Sequence, residues 1–367
     1  MYRFFVVLFF AACSLINAQD IKPKNIIILI GDGMGINYVG ANLLQDPNSP
    51  FKQFSTIGLS ITCSADNLIT DSAAGATALA TGYLTKNKYI SVDTLGNPLY
   101  TLFELAEKLN FSTGVVVTAS VAHATPGAFL GHSISRYDQN LIASQMVNED
   151  FDVIIGGGLK YFIPKSDSGE REDNRDLTKE LTDKNYTFSE KFSDLKTIPD
   201  SVNQIYALFE MDGLPEASKR NYTLGDLTKV ALKHLKNDSD GFVLMIEGSQ
   251  IDWAGHDHKS QMLIDEMKDF STAVKEALNF AKQDKNTLVL ITSDHETGGM
   301  SIIKANNSVN DLEPELKLEL GYTSTGHTPS PVGIFAFGPG KESFKGIMNI
   351  NQIGQKLILL LDPSIKF

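Results

Sequence analysis

Six runs of apolar, mostly β-branched residues punctuate the chain: NIIILI (25–30), GVVVTA (114–119), DVIIGG (152–157), GFVLMI (241–246), TLVLIT (287–292) and VGIFAF (332–337). A strand with one wet face alternates apolar and polar positions, whereas a strand buried on both faces is apolar throughout. Between these runs the apolar positions recur at helical spacing, in TLFELAEKL (101–109), TLGDLTKVALKHLKN (223–237) and LIDEMKDFSTAVKEALNFAKQ (263–283). The pattern predicts an α/β fold, a mostly parallel central sheet with crossover helices on both faces.

From about Leu159 to Thr223 the texture becomes polar and charge-rich, with no strong strand signal until QIYALF. The stretch is too long for an ordinary connection and is expected to be a surface insertion with its own short helix. The remainder reads as one catalytic domain over residues 19–367. Residues 1–18 have the form of a secretory leader: one basic residue, Arg3, a short apolar core, and small residues ending at Ala18. That core is about half the length that a membrane-spanning helix needs. The alternative of a lipid anchor on Cys13 is disfavoured by Phe10 in the cleavage box. A periplasmic or secreted location follows, and no later stretch is long and apolar enough to span a membrane.

Removal of the leader leaves Cys63 without a partner, so no intramolecular disulfide is expected. The 32 Lys and Arg against 44 Asp and Glu give a net charge of −12. That balance disfavours nucleic acid as a partner, and a negatively charged substrate would need a local source of positive charge.

The chemistry falls where the predicted strands end. Asp32 follows the first strand in IIILIGDGMG, Glu247 and DWAGH follow GFVLMI, SDHETGG follows TLVLIT, and TGHT precedes the last strand. In open α/β sheets the carboxyl ends of the strands form the ligand crevice. Asp32, Glu247, Asp252, His256, Asp294, His295 and His327 should converge there. So many carboxylates and imidazoles in one crevice call for a divalent cation to offset their charge. Asp252 and His256 stand four apart, on one face of a helix. Asp71-Ser72 opens TDSAAGATALATG (70–82), a predicted helix whose cap is the plain reading. Beside a metal, the same Ser72 hydroxyl at a helix N-terminus becomes a nucleophile.

LIGDGMG, TDSAAGATALATG, HATPGAFLGHSISR, EGSQIDWAGH, SDHETGG and TGHT occur in the order and with the character of the bacterial alkaline phosphatase family, which the chain resembles from about Lys24 to Gly338. The resemblance implies a metal-dependent hydrolase of phosphate monoesters, alkaline-phosphatase-like in fold. Ser72 would be the nucleophile that is transiently phosphorylated. Asp252, His256 and His327 would hold one Zn2+; Asp32, Asp294 and His295 a second. Thr125 and Glu247, sharing Asp32, would hold one Mg2+, and Arg136 would grip the phosphate. Asp71, His123 and Trp253 would line the site or support it. Relatives are commonly dimers, which leaves a homodimer open.

His123 stands where some family members have aspartate, so the third site is expected to hold magnesium weakly or accept a softer ion. Trp253 stands where others have a basic residue, which makes the substrate end less electropositive. His132, His234 and His258 are read as ordinary, His258 because in a continuing helix it would face away from His256. The opening glycines also suggest a dinucleotide-binding turn, yet the third comes one residue early and Asp32 would repel a pyrophosphate. A sulfatase would require a Cys/Ser-x-Pro-x-Arg setting that DSAAG lacks. A non-catalytic phosphate binder would use the same cluster but would not need Ser72.

Overall fold

The computed structural model describes residues 22–305 and 318–367; the leader, with Cys13, lies outside them. Ten strands form the central sheet: β1 Asn25–Gly31, β2 Thr56–Ile61, β3 Ser112–Ser120, β4 Val153–Gly157, β5 Thr187–Ser189, β6 Ile205–Leu208, β7 Phe242–Gly248, β8 Thr287–Thr292, β9 Val332–Phe337 and β10 Gly346–Asn349. Their order is β10-β2-β9-β8-β1-β7-β3-β4-β6-β5. β1 lies in the middle, parallel to β7 and β8, and only β9 runs antiparallel to its neighbours.

All seven residues of β1 are buried, and they divide by the two-residue period of a strand. Ile26, Ile28 and Ile30 join one hydrophobic layer with the helices Ser72–Thr81, Leu102–Lys108, Ala124–Leu130, Gln139–Asn148, Leu177–Asp183 and Ile350–Leu361. Ile27 and Leu29 join the opposite layer with Ile36–Gln45, Leu224–Leu235, Gln250–His256 and Ser260–Asp284. Continuous apolarity in the sequence is therefore two interleaved half-patterns, one for each layer.

The six apolar runs all become strands, and the three helical patterns become helices close to their expected bounds. β2 escaped that reading because TIGLSI alternates buried and exposed positions, as a strand near the sheet edge does. The polar stretch after Leu159 does carry a short helix, Leu177–Asp183. It also supplies β5 and β6, which complete one edge of the sheet, while Phe162, Leu177, Leu181 and Tyr206 enter the core. It is thus woven into the sheet edge rather than laid over it. β5 is only three residues long, too short to leave a periodic signal.

Candidate metal centre and active site

The central strands deliver the site. Asp32 leaves the end of β1, Glu247 sits near the end of β7, and Asp294-His295 follow β8. The turn after β1 requires glycine at position 33, where φ is +69° and a Cβ would lie 2.6 Å from Thr297 Oγ1 and 2.9 Å from Asp252 Oδ1. The bare Gly33 amide donates to Asp294 Oδ1 at 3.2 Å.

Two triangles of nitrogen and oxygen atoms result. In one, His256 Nε2 and His327 Nε2 are 3.1 Å apart and lie 3.4 and 3.6 Å from Asp252 Oδ1. In the other, His295 Nε2 lies 3.4 Å from Asp32 Oδ1 and 3.2 Å from Asp294 Oδ2. The His295 and His327 rings stack between the two, centroids 3.6 Å apart. Ligands about 2.1 Å from a tetrahedral zinc are spaced roughly 3.4 Å from one another, close to the spacings seen here. The ring tautomers agree, because His256 Nδ1 donates to the Thr325 carbonyl at 2.6 Å and His327 Nδ1 to that of Thr70 at 2.9 Å. With Nδ1 protonated, each Nε2 presents its lone pair to the centre.

A third cluster adjoins these. One ligand atom from each of Asp32, His123 and Glu247 lies within 4.8 Å of the others, and the Thr125 hydroxyl is buried beside them on the Ala124–Leu130 helix. Both oxygens of Asp32, both of Glu247, Asp294 Oδ2, Thr125 Oγ1 and His123 Nδ1 are buried without a hydrogen-bond partner. Burial, together with the neighbouring carboxylates, raises the pKa of Asp32 well above its ordinary value, and burial raises those of Glu247 and Asp294 as well. Burial pushes His295 far down, and with Arg136 it lowers His123 to about 3. His123 and His295 therefore resist protonation beside the unpartnered oxygens of Asp32 and Glu247, so a proton taken up by either ring does not satisfy those oxygens. A divalent cation can, and mixed nitrogen and oxygen donors suit zinc while the oxygen-rich third cluster suits magnesium.

Ser72 opens the Ser72–Thr81 helix, and its Oγ lies 3.2 Å from His295 Nε2. Asp71 accepts the Ala74 amide at 3.0 Å and so caps that helix, as expected. Its other oxygen accepts from Arg136 Nη1 at 3.1 Å, so one carboxylate fixes both the nucleophile's helix and the guanidinium. All ten helix residues are buried, which explains the alanine-rich sequence; a Cβ at Gly75 would come within 2.9 Å of the Asp294 carbonyl. Trp253 is half-buried on the Gln250–His256 helix with its ring packed against Gly213.

His132 is held between the Ser91 carbonyl and Glu104, and His234 by the Val202 carbonyl. His258 departs from expectation. The helix stops at His256, and His258 takes φ +54°, which turns its ring back toward the loop that carries His327. Sequence reasoning also passed over Thr297 and Glu296. The Thr297 hydroxyl donates to Asp252 Oδ1 and lies 3.3 Å from His295 Nδ1, so it links the two triangles. Glu296, buried, accepts from the Gly299 and Met300 amides and the Thr328 hydroxyl, and so braces the segment that bears His327. Their one signal is position: both directly follow His295.

Comparison with known proteins points to one family. The alkaline phosphatase family model matches residues 23–317. Alkaline phosphatase 3 of Bacillus subtilis (strain 168) is 35% identical over 95% of this chain and 91% of its own. The alkaline phosphatase of Escherichia coli (strain K12) is 28% identical over 90% and 84%. Among solved structures, that of the alkaline phosphatase from the Antarctic bacterium TAB5 has a TM-score of 0.85 at 35% identity, covering 95% of this chain and 100% of that one. Variants of the TAB5 protein with one histidine changed to aspartate or glutamate have been solved with magnesium in their M3 site.

Proposed function

The chain belongs to the alkaline phosphatase family of phosphate-monoester hydrolases, and on that premise we propose that it works through a phosphoserine on Ser72, with two zinc ions and one magnesium ion beside it. The observation that carries this reading is the pair of three-residue clusters in which each imidazole nitrogen lies 3.1–3.6 Å from its neighbours, with Ser72 Oγ 3.2 Å from one of those nitrogens.

Asp252, His256 and His327 would hold one zinc; Asp32, Asp294 and His295 the other; Asp32, Glu247 and Thr125 the magnesium, with His123 alongside. Bound there, the ions supply Lewis-acid polarisation, a nucleophile near neutral pH and compensation of phosphate charge. The chain's own residues do the rest. Ser72 Oγ forms a bond to phosphorus as the ester's alcohol oxygen leaves with a proton. Water then attacks the phosphoserine, which restores the Ser72 hydroxyl and releases inorganic phosphate. Arg136 presents its free N–H groups to two non-bridging oxygens, a planar fork suited to that contact. Asp71 holds that fork in place, because a guanidinium anchored at one corner loses less freedom when it binds. Phosphoryl transfer is served chiefly by such positioning and electrostatics.

We extend the reading to export by the leader over residues 1–18, to one catalytic domain over 19–367 and to small phosphate monoesters as substrates. Among the described residues no helix is long and apolar enough to cross a membrane. Replacement of Ser72 by Ala should lower turnover of an aryl phosphate by about 10³-fold or more while leaving the metal content unchanged. Full turnover in Ser72→Ala would sink the phosphoserine route.

A further inference from the structure

His258 stands two residues beyond a zinc-triangle histidine and has no part in the reaction. Had the helix continued, its ring would lie about 200° around the axis from His256. Instead His258 adopts φ +54°, a region uncommon for residues with a Cβ although histidine is enriched there. That twist lays its ring flat on Tyr322, centroids 4.6 Å apart and planes within 9° of parallel. Its Nε2 donates to the Ser324 carbonyl at 2.7 Å, next to the Thr325 carbonyl that His256 Nδ1 takes at 2.6 Å. Ser260 Oγ closes the corner 3.3 Å from the Tyr322 hydroxyl.

The loop so held carries His327. The loop is also tied by a two-residue ladder, His327 to Thr297 and Thr328 to Glu296, and by the Gly298–Gly326 hydrogen bond. The Thr323 and Ser324 amides both donate to the Gly298 carbonyl, at 3.0 and 3.1 Å, so that between Ser324 and His327 the loop depends on few main-chain bonds. A ligand on so short a ladder needs outside restraint if it is to stay on a tetrahedral corner. We propose that His258, with Tyr322 as its stacking partner, is a positioning residue that latches the loop over residues 322–327 and thereby sets how firmly the Asp252–His256–His327 triangle holds its ion. The inference rests on the two-zinc reading. The latch acts on one triangle, since Asp32, Asp294 and His295 take their positions from the ends of β1 and β8.

The test follows zinc release from the loaded protein to a chromogenic chelator, beside the absorption spectrum of the cobalt-loaded protein. His258→Ala should release one of the two ions about fivefold faster, the scale of one solvent-exposed hydrogen bond, and leave the other unchanged. His258→Phe keeps an aromatic stack without the donor, whereas His258→Gln and Tyr322→Leu keep a donor without the stack, so all three should fall between wild type and His258→Ala, with the cobalt band shifted most in His258→Ala. Melting temperature of the stripped proteins reads any purely structural contribution. Equal release rates in all variants, or faster release of both ions in step with lost melting temperature, would overturn the latch. If wild-type protein dialysed against zinc retains none, the two-zinc reading fails and takes the latch with it; if it retains two and the variants match it, the latch alone fails.

Discussion

The two ends of the sheet crowd acids in the same way and resolve the crowding differently. At the amino ends of the strands, Asp152 accepts the Thr113 amide at 2.9 Å, Asp238 accepts the Ser112 hydroxyl at 2.6 Å, and Glu107 accepts the Thr113 hydroxyl. Burial and neighbouring acids still push Glu107 up to about 8 and Asp152 to about 6, so protons and neutral donors carry the load there. At the carboxyl ends, the oxygens of Asp32 and Glu247 lack well-formed hydrogen bonds, with only the Thr125 and Ser249 hydroxyls beside Glu247, and burial keeps the His295 and His123 rings from protonating. Hydrogen-bonded crowding is structural; crowding that leaves buried carboxylate oxygens without partners suits a cation.

That contrast can be broken most forcefully by removing the acid shared between two clusters. Asp32→Ala should cost turnover about 10³-fold or more and lower the bound metal found by elemental analysis, whereas Glu107→Gln should leave turnover within about twofold. Similar losses in both variants would erase the distinction between the ends.

A smaller effect sharpens the amino-end side. Folded, Glu107 keeps its proton up to about pH 8, while the unfolded chain releases it near 4.5. The folded state thus binds the extra proton across that window, so its contribution to stability is lost as pH rises from about 4.5 to about 8. Asp152 titrates below about 6, and Glu266, pushed up by burial to about 7, titrates alike in wild type and variant, so the difference between the two proteins reads Glu107. In metal-loaded protein, Glu107→Gln should flatten the fall in melting temperature between pH 6 and 8; an unchanged slope counts against a buried neutral Glu107.

The smallest effect sits at the third cluster, where His123 places a nitrogen beside Asp32 and Glu247. His123→Asp should tighten magnesium by about tenfold, measured by calorimetry on the zinc-loaded protein. Unchanged binding would mean that His123 does not touch that ion.

Much of this was legible along the chain, and the exceptions share a cause. The six buried strands and the site residues at their ends announce themselves because a doubly buried strand must be apolar throughout and must then stop at something polar. β2, β5 and β10 did not, the first because it alternates, the second because three residues carry no period, and the third because GIMN at the sheet edge buries only Met348. Asp71 was readable as a cap, but its hold on Arg136 joins residues far apart in sequence and left no local trace. Thr297 looks like any threonine after a ligand pair until its hydroxyl is found on Asp252.

The sequence by itself determined the α/β class, the two-layer core and the set of residues that gather at the carboxyl ends, because periodicity and strand termination are local properties of a chain in water. The tertiary structure decided how close those residues come to one another. Distances of 3.1–3.6 Å among Asp32, Asp252, His256, Asp294, His295 and His327 arise from strand order and from the bare backbone at Gly33. It also decided the fate of His258, since the helix ends two residues before it and the chain's turn there redirects its side chain.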